Sequence, residues 1–172
     1  MLFRSPRPRK PVLGKGELHF ITSTCLRHQE KLGLEKHRDL LCQLLEQLRV
    51  KYRFNIVGYI VMPSNFHILL SEPEMETAEE VIMTLRQRFQ RRYNTSVRLD
   101  ESAWEKKIAD KHVVGADQIV GTLSFMHEAP VKAGLAIHPS DWEWSSARRY
   151  AGLPEGVVTV EPTDDPRAKL QS

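Results

Sequence analysis

Residues 54–70 read FNIVGYIVMPSNFHILL, and this stretch decides the fold. Its first part, 54–62, is apolar at nearly every position, which is typical of a central strand buried on both faces. Pro63, Ser64 and Asn65 follow as turn residues, and 66–70 (FHILL) is again apolar. Two apolar runs joined by so short a turn predict a β-hairpin at the centre of a sheet.

The segments on either side of this hairpin alternate between strand and helix patterns. Strand patterns occupy 17–26 and 108–114, and helix patterns occupy 36–52, 77–94 and 116–128. Pro130 is expected to end the last of these helices, and a short further helix is expected to begin near 141–146. The order β-α-β-β-α-β predicts an α+β, ferredoxin-like antiparallel sheet with helices on one face and an appended C-terminal helix.

Length and composition predict one folded domain between two charged ends. The chain has 172 residues and 41% hydrophobic residues, and it has no apolar run of the roughly 20 residues that a membrane helix needs. Its two cysteines form neither a disulfide framework nor a zinc ligand set, so a cytoplasmic location is expected. We predict a flexible basic arm over 1–16, a domain over 17–151 and a mobile acidic tail over 152–172.

Basic residues cluster in the predicted helix 77–94. The cluster consists of Arg86, Arg88, Arg91 and Arg92, and the stretch that holds it contains no acidic residue. Such clusters suit a polyanionic partner, because each phosphate contact releases condensed counterions. A solvated charged surface explains the same composition equally well, so composition leaves both interpretations open.

Three further stretches match one protein family in order and in spacing. They are 59–70 (YIVMPSNFHILL), 104–107 (WEKK), and 125–135 (FMHEAPVKAGL) with 141–146 (DWEWSS) after it. These sequence motifs resemble those of the REP-associated tyrosine transposases and their insertion-sequence relatives, which carry MPNHFHLL, WQRRF, YIHLNPVRAGL and DYPWSS. The helix text LRQRFQRRYN also resembles the family's LKRRYARRYN, so the resemblance covers roughly 17–150.

The resemblance implies a particular DNA chemistry. In that family, two histidines spaced two apart on a strand and an Asn or Gln on a helix hold a divalent metal. A helical tyrosine, four residues before that third ligand, then attacks a phosphate of single-stranded DNA and forms a covalent phosphotyrosine. The spacing suits the chemistry, because residues two apart on a strand or four apart on a helix share one face.

When the four functional positions of the family are matched to this sequence, three of them carry a different residue. The family's first histidine falls on Asn65, its second on His67, its tyrosine on Phe125 and its third ligand on Ala129. Asn65 still offers a carbonyl oxygen to a hard cation. Phe125 has no oxygen that can attack phosphorus, and Ala129 offers no ligand, so the family mechanism of cleavage is not expected.

We therefore predict a transposase-family protein that binds single-stranded or hairpin DNA through a degenerate centre without cutting it. The predicted DNA contacts are Arg86, Arg88, Arg91, Arg92, Lys106 and Lys107. No cofactor is certain, and Mg²⁺ or Mn²⁺ is expected if Asn65 and His67 keep a metal site. No membrane association is predicted, and the sequence leaves a homodimer open.

Other interpretations remain open at this point. His67 is also explained as a structural, hydrogen-bonded histidine, and His19, His112 and His127 are candidates to rebuild a metal site with it. An active metal-dependent strand-transferase with a non-standard nucleophile such as Tyr93 is the main alternative function. The other is a scaffold protein that has lost DNA binding.

Overall fold

The computed structural model describes residues 17–171, so the predicted basic arm over 1–16 lies outside the described residues. Within this range the strands are Leu18–Thr24 (β1), Ile56–Val61 (β2), Asn65–Leu70 (β3) and Ala109–Val113 (β4). The α-helices are Glu35–Tyr52 (α1), Ala78–Val97 (α2), Ala116–Lys132 (α3) and Ala147–Tyr150 (α4). None of these helices combines the length and the apolar character that crossing a membrane requires.

The four strands form one antiparallel sheet in the order β2-β3-β1-β4. The predicted hairpin of β2 and β3 is present, and β3 lies inside the sheet between β2 and β1. Leu69 pairs with Phe20 on one side and with Gly58 on the other, which fixes which side chains share a face. The α+β, ferredoxin-like prediction is thereby confirmed.

Helices cover both faces of the sheet, so the expectation that they lie on one face is wrong. On one face, Phe66 packs against Trp104, which in turn packs against Phe89 of α2, and α2 packs on α1. On the other face, α3 lies so close to β2 that a Cβ on Gly58 would stand 2.5 Å from Leu123 Cδ2. The reason is that β3 is buried on both of its faces from its second residue onward, so both faces of the sheet need cover.

The ends of two helices test the local sequence signals. The Thr77 side chain accepts a hydrogen bond of 3.1 Å from the backbone N–H of Glu80, so the predicted start of α2 is correct. Pro130 does not end α3, which continues to Lys132. Proline is tolerated so close to the end of the helix because it removes only one of the last backbone hydrogen bonds.

Residues in the described range 152–171 pack against the domain and do not match the expected mobile tail. Val158 and Val160 are buried, and the backbone N–H of Glu161 donates a 2.8 Å hydrogen bond to Ile56 O beside β2. Thr159 hydrogen-bonds the Glu46 carboxylate of α1 through its hydroxyl and its backbone N–H. The folded domain therefore extends well past 151, because a few apolar residues in this acidic segment find cover.

Candidate functional site

His67 and Asn65 lie two residues apart on β3 and therefore point from the same face, the one that α3 covers. His67 is 9% exposed, and its Nδ1 lies 2.7 Å from the Thr22 hydroxyl of β1. Burial lowers the pKa of His67 to about 4, so the ring is neutral at neutral pH. The Asn65 Oδ1 atom is buried and has no hydrogen-bond partner among the described residues.

Phe125 projects from α3 onto this face and contacts His67. The two rings are edge-to-face with centroids 5.5 Å apart, and Phe20 of β1 lies 6.2 Å from Phe125 and 5.5 Å from His67. We call Phe20, His67 and Phe125 the aromatic centre. The Phe125 side chain is 54% exposed, whereas the Phe66 and Phe89 rings are buried. The aromatic centre is therefore open to solvent on its Phe125 side.

The residues at this centre do not fit the divalent metal of the family. Two donors remain, His67 and Asn65, and Ala129 supplies none at the third position. His127 cannot replace it, because its Nε2 is engaged 2.7 Å from the Ser146 hydroxyl in a buried pair. Two donors are fewer than a protein site for a divalent ion normally provides.

Tyr93, the candidate replacement nucleophile, lies away from the aromatic centre. It belongs to α2, which covers the opposite face of the sheet. Its ring stacks on Phe89 and meets His37 of α1 edge-on with centroids 4.8 Å apart. The fold therefore separates Tyr93 from His67 by the thickness of the sheet.

The six predicted DNA contacts divide into one buried residue and five that solvent reaches. Arg86 is 5% exposed, its guanidinium lies over the Trp104 ring and it donates to the Glu105 carbonyl. It is therefore a structural residue, and we withdraw it from the predicted DNA contacts. The other five are Arg88, which is half-buried, and the exposed Arg91, Arg92, Lys106 and Lys107.

These five cations lie at one end of the sheet. The 101–107 segment is joined to the end of β1, because Glu105 N–H donates to Thr24 O and Leu26 N–H donates to Ala103 O. Thr24 pairs with Asn65, and the Asn94 side chain near the end of α2 donates to Glu101 O. We call Arg88, Arg91, Arg92, Lys106 and Lys107 the basic end; it lies at the Asn65 end of β3.

Two residues that sequence reasoning missed belong to the same region. Phe20 completes the aromatic centre, and the exposed Lys111 of β4 pairs with Phe20 across the strands, so it points from the same face. The alternation of side chains along β1 and β4 shows which residues of each strand share a face. It does not show that Phe20 and Lys111 lie on the same face until the β1–β4 register is known.

A second polar cluster, formed by His19, Asp110 and His112, lies on the face opposite the aromatic centre. His19 and His112 pair in register across β1 and β4, and the ligand atoms of the three residues lie within 4.8 Å of one another. His19 Nδ1 contacts Asp110 at 3.0 Å and His19 Nε2 contacts Glu72 at 2.7 Å. Burial disfavours the imidazolium, but these hydrogen bonds outweigh it and raise the pKa of His19. The structure thus brings His19 and His112 together, as considered from sequence, but away from His67 and His127.

Comparison with known proteins identifies the fold. No protein-family model matches the sequence, and no curated protein is significantly similar to it. Among solved structures, a REP-associated tyrosine transposase bound to a REP hairpin matches with a TM-score of 0.62 at 16% identity. The match covers 93% of this chain and 94% of that one. The chain has a transposase fold.

A second solved structure is a candidate transposase from Deinococcus radiodurans R1. It matches with a TM-score of 0.47 at 19% identity, over 74% of this chain and 97% of that one. The match to the transposase fold covers nearly the whole chain, and it agrees with the family resemblance that the sequence shows over roughly 17–150. Because a shared fold does not fix function, the activity has to be argued from the side chains of the aromatic centre and the basic end.

Proposed function

We propose that this chain is a transposase-family DNA-binding protein that recognises single-stranded or hairpin DNA and does not cleave it. The observation that carries the proposal is Phe125: a solvent-exposed phenyl ring against His67, at the position where the family has its nucleophilic tyrosine. A phenyl ring cannot attack phosphorus, but it offers a face on which an unpaired base can stack. The REP hairpin bound by the structurally similar transposase supports a nucleic acid of this kind as the partner.

In the proposed binding mode, the basic end and the aromatic centre contact different parts of the nucleic acid. The basic end contacts phosphates, which positions the nucleic acid without reading its sequence. The aromatic centre then stacks an unpaired base, with Lys111 beside Phe20 as an additional phosphate contact. A hairpin supplies both features, since its stem offers closely spaced phosphates and its loop offers unstacked bases.

The two alternative functions are less well supported. An active strand-transferase needs a nucleophile at the aromatic centre, and Tyr93 packs between α1 and α2 on the other face. A scaffold protein without DNA binding gives no reason for four exposed cations, Arg91, Arg92, Lys106 and Lys107, at one end of the sheet. Both alternatives are kept as outcomes of the experiment.

The proposal is tested with labelled hairpins and matching single strands from the DNA that flanks the gene, with Mg²⁺ or Mn²⁺ present. We expect a shifted band on a native gel, and neither a cut strand nor a detergent-stable adduct on a denaturing gel. The binding constant should fall steeply with salt, and the Lys106→Gln/Lys107→Gln variant should reduce the slope by about 1 for each lysine.

Lys51→Gln is the matched control, because Lys51 is an exposed lysine in the last turn of α1, at the other end of the sheet. Its affinity and salt slope should equal those of the wild type. A covalent adduct would show that a residue other than Phe125 serves as the nucleophile and would support the strand-transferase. Absence of any shift would support the scaffold. A shift that is insensitive to salt and to both lysines would contradict binding through the basic end.

The role of Phe125 in stacking is tested separately. We expect Phe125→Leu to weaken binding of single strands and hairpin loops by about 1–3 kcal/mol, because leucine keeps the apolar volume but has no π-face. Phe125→Trp should retain the affinity. Fluorescence anisotropy with a blunt duplex is the control, since a duplex has no loop base to stack. Equal loss of affinity for duplex and hairpin would contradict stacking.

A further inference from the structure

We propose that His19, Asp110 and His112 bind a zinc-class divalent ion on the face of the sheet opposite the aromatic centre. Two imidazoles and a carboxylate are ligands that Zn²⁺ takes in proteins, whereas Mg²⁺ prefers oxygen ligands alone. The ligand atoms already lie within 4.8 Å of one another. Ligands that bind one ion at about 2.0–2.2 Å can be no more than about 4.4 Å apart, so binding requires the ligand atoms to move closer together, and the exposed His112 side chain has room to move.

The orientation of His19 is the strongest support for this site. Its Nε2 lies 2.7 Å from a Glu72 carboxylate oxygen, and that contact directs Nδ1 towards Asp110, 3.0 Å away. A metal-binding histidine usually donates its second ring N–H to a carboxylate, which fixes the tautomer and the ring plane. Glu72 occupies that position here, so Nδ1 is the nitrogen that would face the ion.

The strand register supplies the remaining two ligands. His19 of β1 and His112 of β4 are cross-strand partners, and Asp110, two residues before His112, points from the same face. His19 is 7% exposed, while Asp110 and His112 are open to solvent, so an ion can reach the cluster from outside. Two cysteines elsewhere do not compete for zinc, because Cys25 and Cys42 are both buried.

The site is distinct from the metal centre of the family. That centre belongs to the face of His67, and β1 alternation places His19 on the opposite face from Phe20 and Thr22. An ion held by β1 and β4 would fasten β4, a short strand at the edge of the sheet, to its neighbour. The expected consequence is stabilisation of the fold by the ion, and it does not depend on DNA binding.

The experiment uses the full chain after dialysis against a chelator. Isothermal titration with ZnCl₂ should show one bound ion for each chain, and Zn²⁺ should raise the thermal unfolding midpoint. His112→Ala and Asp110→Asn should each abolish both effects. His138→Ala is the matched control, since His138 is exposed and outside the cluster. Glu72→Gln should weaken binding by about 10–100-fold, because Glu72 acts through His19.

Each outcome decides the proposal. Loss of zinc binding in His112→Ala and Asp110→Asn, with His138→Ala unchanged, would establish the site, and the visible spectrum of bound Co²⁺ would report its ligand set. Zinc binding that survives both substitutions would overturn it, as would Mg²⁺ binding as tightly as Zn²⁺. Absence of binding in the wild type would also overturn it and would leave His19 with only its contacts to Asp110 and Glu72. Hairpin binding is measured separately, so failure of one proposal leaves the other intact.

Discussion

We expect the Trp104→Ala substitution to lower the free energy of unfolding by about 3–5 kcal/mol. Trp104 is 3% exposed, and its ring meets Phe66 of β3 and Phe89 of α2 with centroids 5.3 Å apart in both cases. Its indole N–H also donates a 3.0 Å hydrogen bond to Arg86 O. Truncation would leave a large cavity between α2 and the sheet and would remove the indole hydrogen bond to Arg86 O.

The same substitution should affect the basic end. Trp104 forms an isolated backbone β-bridge with Cys25 just after β1, and Lys106 and Lys107 lie two and three residues further along the chain. Urea unfolding of the wild type, Trp104→Ala and Trp104→Phe gives the measurement, and we expect phenylalanine to restore most of the stability. A loss below about 0.5 kcal/mol for Trp104→Ala would contradict the packing role, since that is the range of surface substitutions.

The fold could be predicted because local sequence patterns specify its central hairpin. The apolar run that ends at Val61, the turn residues after it and the second apolar run specify β2 and β3 without any long-range information. The Thr77 cap is equally local, and its hydrogen bond to Glu80 is present. Phe125 was placed against His67 by the family resemblance, and the structure puts the two rings in contact.

The sequence-based predictions are wrong where tertiary contacts override local patterns, as at Arg86. Arg86 follows Ile82 by four residues and precedes Phe89 by three, so the helical period places it on the buried stripe of α2. Its charge is typical of a surface residue, whereas its position in α2 places it in the core. Burial becomes possible because the Trp104 ring and the Glu105 carbonyl receive the guanidinium, and both belong to a different segment of the chain.

The second polar cluster could not have been predicted from spacing at all. Asp110 is 91 residues from His19 in the chain, and only the β1–β4 register brings them together. A shift of one residue in that register would send the His112 side chain to the other face. The packing of 152–171 has a similar cause, because Val158 and Val160 are too few to mark a buried segment by pattern.

We expect the free energy of unfolding to fall in acid because of His127. This histidine of α3 is 2% exposed, and burial lowers its pKa to about 4 from an ordinary value of 6.5. Between these two values the unfolded chain binds a proton at His127 that the folded chain does not. The free energy of unfolding therefore falls as the pH falls through this window, by about 3 kcal/mol for this one residue.

His127→Gln should remove that contribution. Glutamine does not titrate, so the loss of stability between pH 6.5 and pH 4 should be smaller than in the wild type by about 3 kcal/mol. His67, whose pKa is also lowered to about 4, stays in the variant and keeps part of the wild-type pH dependence. The measurement is urea unfolding at several pH values, with His138→Gln as the exposed control.

The structural consequence of protonating His127 should begin at the contact between α3 and β2. His127 Nε2 lies 2.7 Å from the Ser146 hydroxyl, which also accepts a 3.0 Å hydrogen bond from Tyr59 N–H of β2. A charge at His127 has to reach water, and reaching water separates this helix from the strand. Because α3 also carries Phe125, hairpin affinity should fall as the pH falls through about 4, where the folded chain takes up this proton, and less steeply in His127→Gln. Equal acid sensitivity of the wild type and His127→Gln in both stability and affinity would show that this histidine does not control the contact.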